Sequence, residues 1–316
     1  MPGLYLTRAQ YFGSLEDYDR ALAVGEKAVK LAPNEGEAWL LRAAARQSLH
    51  QFDGAEQDLV EAQKHGAEIE SAEGMRASIL QARGKLDEAL ALRKRAMEKH
   101  ATLDSLALYG LVLGEMGRVA EAEQQLTEAQ YLYRSVAPIP VAWLYFQFGL
   151  LEERNGRPQS ARELYQAAIE RLPQYAPAIG HLAGLSEKEA AVKLLQPLVE
   201  RSDDPEYWGQ LAALTGDQAL EARARKRYDA LVAKHPEAFA DHAARFWLSR
   251  EPKRALALAQ RNAKLRPTRE AWLLVAEAAH AAGQGKLACE STQKVLAMPF
   301  QTEAIKLKAA TFCTAK

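Results

Sequence analysis

Apolar and polar residues follow a helical period along most of this chain, and the helical pattern itself returns about every 34 residues. Residues 17–33, DYDRALAVGEKAVKLAP, begin with a charged and aromatic turn and continue as an amphipathic run that Pro33 ends. Residues equivalent to Ala21 recur at spacings of 34, 34, 33, 39, 30, 33, 31 and 33. A fixed period of this length predicts a helical solenoid. The equivalent residues are Ala21, Ala55, Ala89, Ala122, Ala161, Ala191, Ala224, Ala255 and Ala288.

Other positions keep step with these anchor alanines. Twelve residues before the anchor, eight of the nine copies have Ala or Gly, and the sixth copy has Ala183 eight before it. Sixteen residues before the anchor, every copy but the third (Glu73) has a large residue such as Trp39 or Trp272. Small residues let two helix backbones approach, and large residues fill the space beside them. Each copy is therefore expected to be a pair of closely crossing helices.

This pattern resembles the tetratricopeptide repeat (TPR), and it is clearest at 37–62 and 271–297. The resemblance covers about residues 2–300. It implies an all-α fold, a right-handed superhelical solenoid of about nine TPR helix-turn-helix repeats plus a C-terminal capping helix. We expect one continuous solenoid over 2–300 with the capping helix in 301–316.

The solenoid is expected to be irregular at 131–191, where the 39-residue and 30-residue intervals are adjacent. The second helix of the fourth copy is predicted to run past its usual end to Pro138. The sixth copy is four residues short, about one helical turn. There, SEKE at 186–189 is predicted to form a capping box at the start of the second helix.

Six of the 24 aromatic residues lie in 131–148, between these irregularities. The TPR resemblance implies that first helices line a concave groove. In the fifth copy this stripe comprises Trp143, Phe146, Leu150 and Glu153, with Gln147 and Arg154 beside it. Two interpretations remain open: these residues anchor a partner in the groove, or the preceding segment and Pro138–Pro140 cover Trp143. The predicted partner-binding residues are Trp143, Phe146, Gln147, Leu150 and Arg154.

The resemblance also implies a non-enzymatic scaffold that binds a peptide or helix of a partner protein. One alternative is a subunit that joins a larger assembly, possibly in the cell envelope, through its convex or end surfaces. A ligand-sensing regulator is a third. The lysine and asparagine residues with which some TPR proteins clamp a terminal carboxylate are replaced here by residues such as Leu6 and Gln10. A chaperone-tail adaptor is therefore disfavoured.

Composition narrows the choice further. Lys plus Arg equals Asp plus Glu at 41 each, and this balance argues against a nucleic-acid partner. No apolar run reaches 18 residues, so we expect no membrane insertion. Signatures of zinc proteases, redox enzymes and hydrolases are missing, and GQGK at 283–286 lacks the strand and spacing of a phosphate-binding loop. We expect no catalytic residue, metal or cofactor, and we interpret His242 as a structural histidine bonded to Asp241 or a carbonyl.

The two cysteines, Cys289 and Cys313, fall at similar heights on two antiparallel terminal helices. They are either buried reduced thiols or a disulfide that pins the last helix. The start, MPGLYLTRAQ, has no signal-peptide pattern, which favours the cytoplasm. A disulfide, or origin as a processed fragment, would instead favour the periplasm, so the localisation stays undecided.

Overall fold

The computed structural model describes residues 2–299 and 302–313 of the chain. These residues form nineteen α-helices and no strand. The helices are α1 (Pro2–Phe12), α2 (Glu16–Leu31), α3 (Gly36–Ser48), α4 (Phe52–Lys64), α5 (Ile69–Ala82), α6 (Leu86–Lys99), α7 (Leu103–Glu115), α8 (Val119–Leu132), α9 (Pro138–Arg154), α10 (Pro158–Arg171), α11 (Ala176–Gly184), α12 (Lys188–Arg201), α13 (Pro205–Thr215), α14 (Gln218–Lys234), α15 (Pro236–Trp247), α16 (Pro252–Leu265), α17 (Arg269–Ala281), α18 (Gly285–Ala297) and α19 (Glu303–Ala310).

Each helix packs on its neighbours in the chain, as the predicted helix pairs require. All nine anchor alanines are buried, with at most 1% of their surface exposed. In the fifth copy, a Cβ built on Gly149 would lie 2.5 Å from Cε1 of Tyr165. No side chain fits there without displacing the ring, so the small residue in α9 is dictated by the helix that crosses it. The predicted all-α solenoid is confirmed.

The irregular region differs in two details from its prediction. Helix α8 ends at Leu132 and not near Pro138, and residues 133–137 form a non-helical connection. Proline disfavours a helical conformation in the residue before it, so Pro138 starts α9 and does not end α8. The predicted capping box is also wrong, because the Ser186 hydroxyl donates to the Leu182 carbonyl at 2.6 Å and α12 begins only at Lys188.

Helix α19 covers the last repeat. Ile305 and Ala309 are buried against it, whereas Lys306 and Lys308 are exposed. Residues 300, 301 and 314–316, which complete the predicted cap, lie outside the described residues.

Distant repeats also touch. The turn between α1 and α2 contacts the loop between α12 and α13, where Asp203 Oδ1 accepts from the Leu15 amide at 2.5 Å. The Ser202 hydroxyl donates to the Gly13 carbonyl at 2.7 Å. Further along, His235 Nε2 lies 2.7 Å from Asp19 Oδ1, and His50 Nδ1 donates to the Glu237 carbonyl at 3.0 Å.

We call this line of contacts, from residues 13–19 and 48–50 to 202–204 and 231–239, the seam. It also contains a small apolar cluster. The seam joins the first two copies to the sixth, seventh and eighth, so one superhelical turn rests on the next. The concave face is thereby enclosed on that side. The apolar cluster comprises Leu15, Leu49, Leu231, Ala238 and Phe239.

Candidate functional site

The concave face encloses a cavity of about 1010 Å³, which we call the lumen. Its walls come from the first helix of every repeat and from α19. A helix of the outer layer contributes only rarely, as Tyr228 of α14 does. The lumen is thus the concave surface that the repeat pattern predicts, closed by the seam.

The predicted groove residues of α9 fall into two groups. Gln147, Leu150 and Arg154 line a smaller recess of about 100 Å³ at the lumen wall, next to Glu115 and Arg269. Leu150 and Arg154 also line the lumen itself. The structure therefore brings these three side chains together.

Phe146 lines the lumen but is only 8% exposed. Its ring lies 5.7 Å from Tyr165, 5.3 Å from Tyr175 and 5.4 Å from His181, measured between centroids. Tyr11 of the first repeat stacks on Tyr175 at 5.2 Å from across the superhelix. Aromatic rings at such distances attract one another. Phe146 is therefore part of an internal aromatic cluster.

Trp143 is half-buried and packs against the cluster of α7 and α8 that includes Leu106 and Leu126. It does not line the lumen within the described residues. Glu153 accepts a hydrogen bond from the Tyr165 hydroxyl at 2.6 Å and contacts His181 Nδ1 at 3.0 Å. Burial opposes the ionisation of Glu153, but these two hydrogen bonds lower its pKa overall.

Arg154 is exposed to the lumen, and its guanidinium has no ion pair or hydrogen bond within the described residues. Three carboxylates, those of Glu115, Glu153 and Glu270, lie within electrostatic reach of it. Burial and the charge of Glu270 raise the pKa of Glu115, and the charge of Arg154 counteracts them. Arg154 thus offers a free cation in a wall that also carries acids.

The opposite wall of the lumen, at the start of α13, carries Asp204 and Glu206. Burial, and then the charge of Glu206, raise the pKa of Asp204 to about 7. Asp204 Oδ1 caps α13 by accepting from the Glu206 amide at 2.9 Å. Within 2–299 and 302–313, no hydrogen bond reaches Asp204 Oδ2.

His242 of α15 stands beside these acids. The charge of Asp241 raises the pKa of His242, and burial lowers it. The hydrogen bond to Glu206 adds to the effect of Asp241, so the pKa rises to about 9. His242 Nδ1 donates to Glu206 Oε2 at 3.1 Å, whereas its Nε2 is 4.0 Å from Asp241 Oδ1. The expected hydrogen bond to Asp241 or a carbonyl is therefore replaced by one to a carboxylate of the preceding repeat.

Sequence reasoning missed this acidic wall, although a signal was present. Glu206 lies 18 residues before its anchor Ala224, as Trp143 lies 18 before Ala161. The same concave position is thus aromatic in the fifth copy and acidic in the seventh. Asp204 lies outside that stripe, and only the fold shows that it faces the lumen.

Cys289 of α18 and Cys313 are joined by a disulfide, with their Cα atoms 4.5 Å apart. The bridge ties the segment after α19 to the last repeat. Among the described residues, no group of His, Cys, Asp and Glu is arranged to hold a metal ion. None of the helices in that part of the chain combines the length and apolar character needed to span a bilayer.

Comparison with known proteins agrees with this architecture. The family model for the tetratricopeptide repeat matches residues 2–35. The crystal structure of the APC/C hetero-tetramer Cut9–Hcn1 has a chain that superposes with a TM-score of 0.50 at 14% identity, covering 93% of this chain and 62% of that one. The chain has the fold of a tetratricopeptide-repeat solenoid. Solenoids of this superfamily bind protein partners and are typically non-enzymatic scaffolds.

Part of the solenoid is also similar in sequence to a named group of proteins. It is 30% identical over 112 residues to the Photosystem I assembly protein Ycf3 of Sorghum bicolor. The aligned region covers 34% of this chain and 64% of that protein. Against the Ycf3 of Cuscuta obtusiflora it is 28% identical over 119 residues, 36% of this chain and 70% of that protein. The similarity thus covers about a third of the solenoid and less than two thirds of the Sorghum protein.

Proposed function

We propose that this TPR solenoid is a non-enzymatic scaffold that holds an extended segment or a helix of a partner protein in its lumen. The observation that carries the proposal is the lumen itself, which is lined by the concave residues of all nine repeats. Mixed charges and apolar side chains line the cavity side by side, as a surface that binds polypeptide requires. The similarity to a photosystem assembly protein is consistent with a protein that binds other proteins.

Leu150 and Arg154 are the expected anchors. An arginine without an ion pair, at the edge of a recess lined by polar and apolar side chains, can pair with a carboxylate of the partner while its stem packs on apolar groups. Phe146 is expected to support the wall, since the cluster with Tyr165 and Tyr175 already covers its ring. The part of the lumen wall that carries Leu150 and Arg154, and not the aromatic cluster, should therefore determine partner affinity.

A second candidate function, as a subunit of a larger assembly, is favoured by the connection between α8 and α9. Tyr131 is 70% exposed, and Val136 is fully exposed. Exposed apolar groups close together are typical of protein contact surfaces. Such a subunit would bind through its outer surface and leave the lumen free.

Paired charge reversals separate the two functions. Arg154→Glu changes the lumen, whereas Arg162→Glu makes the same change on the outer face of α10, where Arg162 is exposed. Each variant, and the unchanged protein, is used for affinity capture from native lysate with quantitative mass spectrometry. We expect the same partner to be retained by Arg162→Glu and reduced about tenfold or more by Arg154→Glu.

A partner that both variants capture equally, and that Val136→Asp with Tyr131→Ser abolishes, would establish the assembly function and overturn the lumen. Circular dichroism of each variant checks that the solenoid remains folded. Because Arg154, Arg162, Tyr131 and Val136 are exposed, none of these changes is expected to unfold it.

A further inference from the structure

The charges at the acidic wall of the lumen do not balance in pairs. Asp203 is bound by Arg227, and Glu206 is bound by the charged His242. Asp241 is 3.4 Å from Arg266. Asp204 alone in this group forms no ion pair among the described residues, although the charge of His242 acts on it. A carboxylate without an ion pair of its own is therefore presented to the lumen.

Several tyrosines lie within electrostatic reach of that carboxylate. Tyr207 and Tyr228 are 5% and 2% exposed, yet both line the lumen. In the described part of the chain neither hydroxyl makes a hydrogen bond, and neither is sealed from the cavity. Buried polar groups in proteins are nearly always hydrogen-bonded. These two hydroxyls therefore leave hydrogen-bonding capacity open to the lumen near Asp204.

The tyrosines are held in place by the packing of distant repeats. A Cβ on Gly180 of α11 would lie 2.6 Å from Tyr207 Cε1, and one on Gly13 would lie 3.2 Å from its Cε2. Tyr228 stacks on Phe246, with centroids 4.7 Å apart. Tyr18, from the first repeat, completes the group across the seam. The site exists only when the superhelix is closed.

At the two tyrosines the neighbouring carboxylates favour a cation, and at Asp204 the charge of His242 opposes them. Burial first, and then the charges of Asp204 and Glu206, raise the pKa of Tyr207. Burial and the same two carboxylates raise the pKa of Tyr228. Both phenols therefore stay neutral, and their oxygens can accept hydrogen bonds. The titratable groups that face Asp204 are Tyr18, Asp203, Glu206, Tyr207, Tyr228 and His242.

We propose that Asp204 Oδ2 and the hydroxyls of Tyr207 and Tyr228 form a seat for an alkylammonium group, supplied by a lysine side chain of the segment held in the lumen. This inference rests on the proposed function. An ammonium group donates three hydrogen bonds and carries a compact positive charge, which matches one carboxylate and two phenol oxygens. A carboxylate ligand would meet like charge there, and a neutral alcohol would leave Asp204 unpaired.

Binding should depend on pH in a defined direction. With a pKa of about 7, Asp204 is mostly protonated at pH 6 and mostly ionised at pH 8. A simple alkylammonium keeps its charge at both values. Affinity should therefore be about tenfold higher at pH 8 than at pH 6, and binding should release a proton from Asp204.

The test uses n-butylammonium as the probe, with butanol and butyrate as neutral and anionic probes of the same length. Saturation-transfer NMR on the full chain measures the binding of each. We expect butylammonium to bind at pH 8 and the other two to bind at least about tenfold more weakly. Asp204→Asn should remove this preference while keeping the cap of α13, because asparagine caps helices as well as aspartate does.

Two further variants make the test specific. Tyr228→Phe removes one hydroxyl with almost no change of volume, and it should weaken butylammonium about fivefold. Glu277→Gln removes a carboxylate from another part of the lumen wall, on α17, and should have no effect. Equal binding by Asp204→Asn, or equal binding of butanol, would overturn the proposal.

The source of the ammonium group is decided by three ligands. Nα-acetyl-lysine methylamide should bind more tightly than butylammonium, because it presents a side chain with peptide groups attached. Tighter binding of glycinamide, or of butylammonium itself, would overturn the lysine assignment in favour of a chain N-terminus or a small free amine. If Arg154→Glu loses the partner but no probe depends on Asp204, the scaffold function stands and this seat does not exist.

Discussion

The crossings between consecutive helices and the seam between distant repeats are built from different residues. At the crossings, nine equivalent alanines are almost completely buried, and every copy repeats the same solution. At the seam, carboxylates, histidines and backbone amides meet beside the apolar cluster of Leu15 and Phe239, and each polar contact joins a different pair of residues. Asp203, for example, accepts hydrogen bonds from the amides of Leu15 and Glu16.

This difference has a physical cause. Each repeat must bury its apolar face on the next repeat. All nine helix crossings therefore have to meet the same packing requirement. The seam forms only after the small rotations between some five repeats have accumulated, so each position along it is unique. Four predictions test this contrast, in order of decreasing effect.

The largest effect is expected at the covalent contact of the last repeat. Replacing Cys313 by Ser, and so removing its bridge to Cys289, should lower the unfolding free energy of α18 and α19 by about 3 kcal/mol. Hydrogen exchange should rise in those helices and leave the seam unchanged. Alkylation of natively isolated, unreduced protein, read by intact mass, should find no free thiol. Two modified thiols would show that the bridge is absent from the native protein, and the cysteines would then no longer favour the periplasm.

The next effect concerns a helix crossing. Gly149→Ala would place a Cβ 2.5 Å from the Tyr165 ring and should lower the free energy of unfolding by about 2–3 kcal/mol. Gly184→Ala is the matched control, since no atom lies within 4 Å of the added Cβ. That change should be neutral or stabilising by up to about 1 kcal/mol. Urea unfolding measures both, and equal effects would show that the crossing is not tightly packed.

A smaller effect is expected for the seam. Asp203→Ala leaves the amides of Leu15 and Glu16 without their acceptor and should cost about 2 kcal/mol. Hydrogen exchange should rise on both sides, at residues 13–20 and 202–207. Asp53→Ala is the control, because Asp53 is 92% exposed in its ion pair with Arg83 and should contribute little. A rise confined to 202–207 would mean that the seam is already open in solution.

The smallest effect is a weakening of the seam in mild acid. Burial, and then the charge of Arg266, lower the pKa of His50 to about 4, so its imidazole stays neutral in the closed seam. Since the folded pKa lies below the ordinary 6.5, this stability is present above pH 6.5 and lost as the pH falls towards 4. At pH 5.5 the loss should be about 1 kcal/mol, visible as faster exchange at residues 47–52.

His50→Asn should abolish that pH dependence. His50 has a φ of +54°, and asparagine tolerates this left-handed conformation better than most residues. His100→Asn, at an exposed position, is the control and should leave the pH profile as it is. An unchanged profile in His50→Asn would assign the acid response to another group.

The repeat architecture could be predicted because it is periodic. The anchor alanines and the small residues of the partner helix are local requirements that nearly every copy satisfies, so one sequence contains nine versions of the same evidence. Only the local exceptions failed. A proline was taken as the end of α8 when it begins α9, because Pro138 is compatible with either boundary until the path of the chain is known.

The sequence by itself determined the helices, their pairing and the concave position of Leu150 and Arg154. The tertiary structure decided that the concave face is a closed lumen, that Phe146 is covered by Tyr175, and that Asp204 faces a cavity. The closed lumen, and with it the cavity that Asp204 faces, depends on contacts between residues about 190 positions apart, such as Leu15 and Asp203. No period in the chain encodes such a contact, because it results from the summed rotations of all the repeats between them.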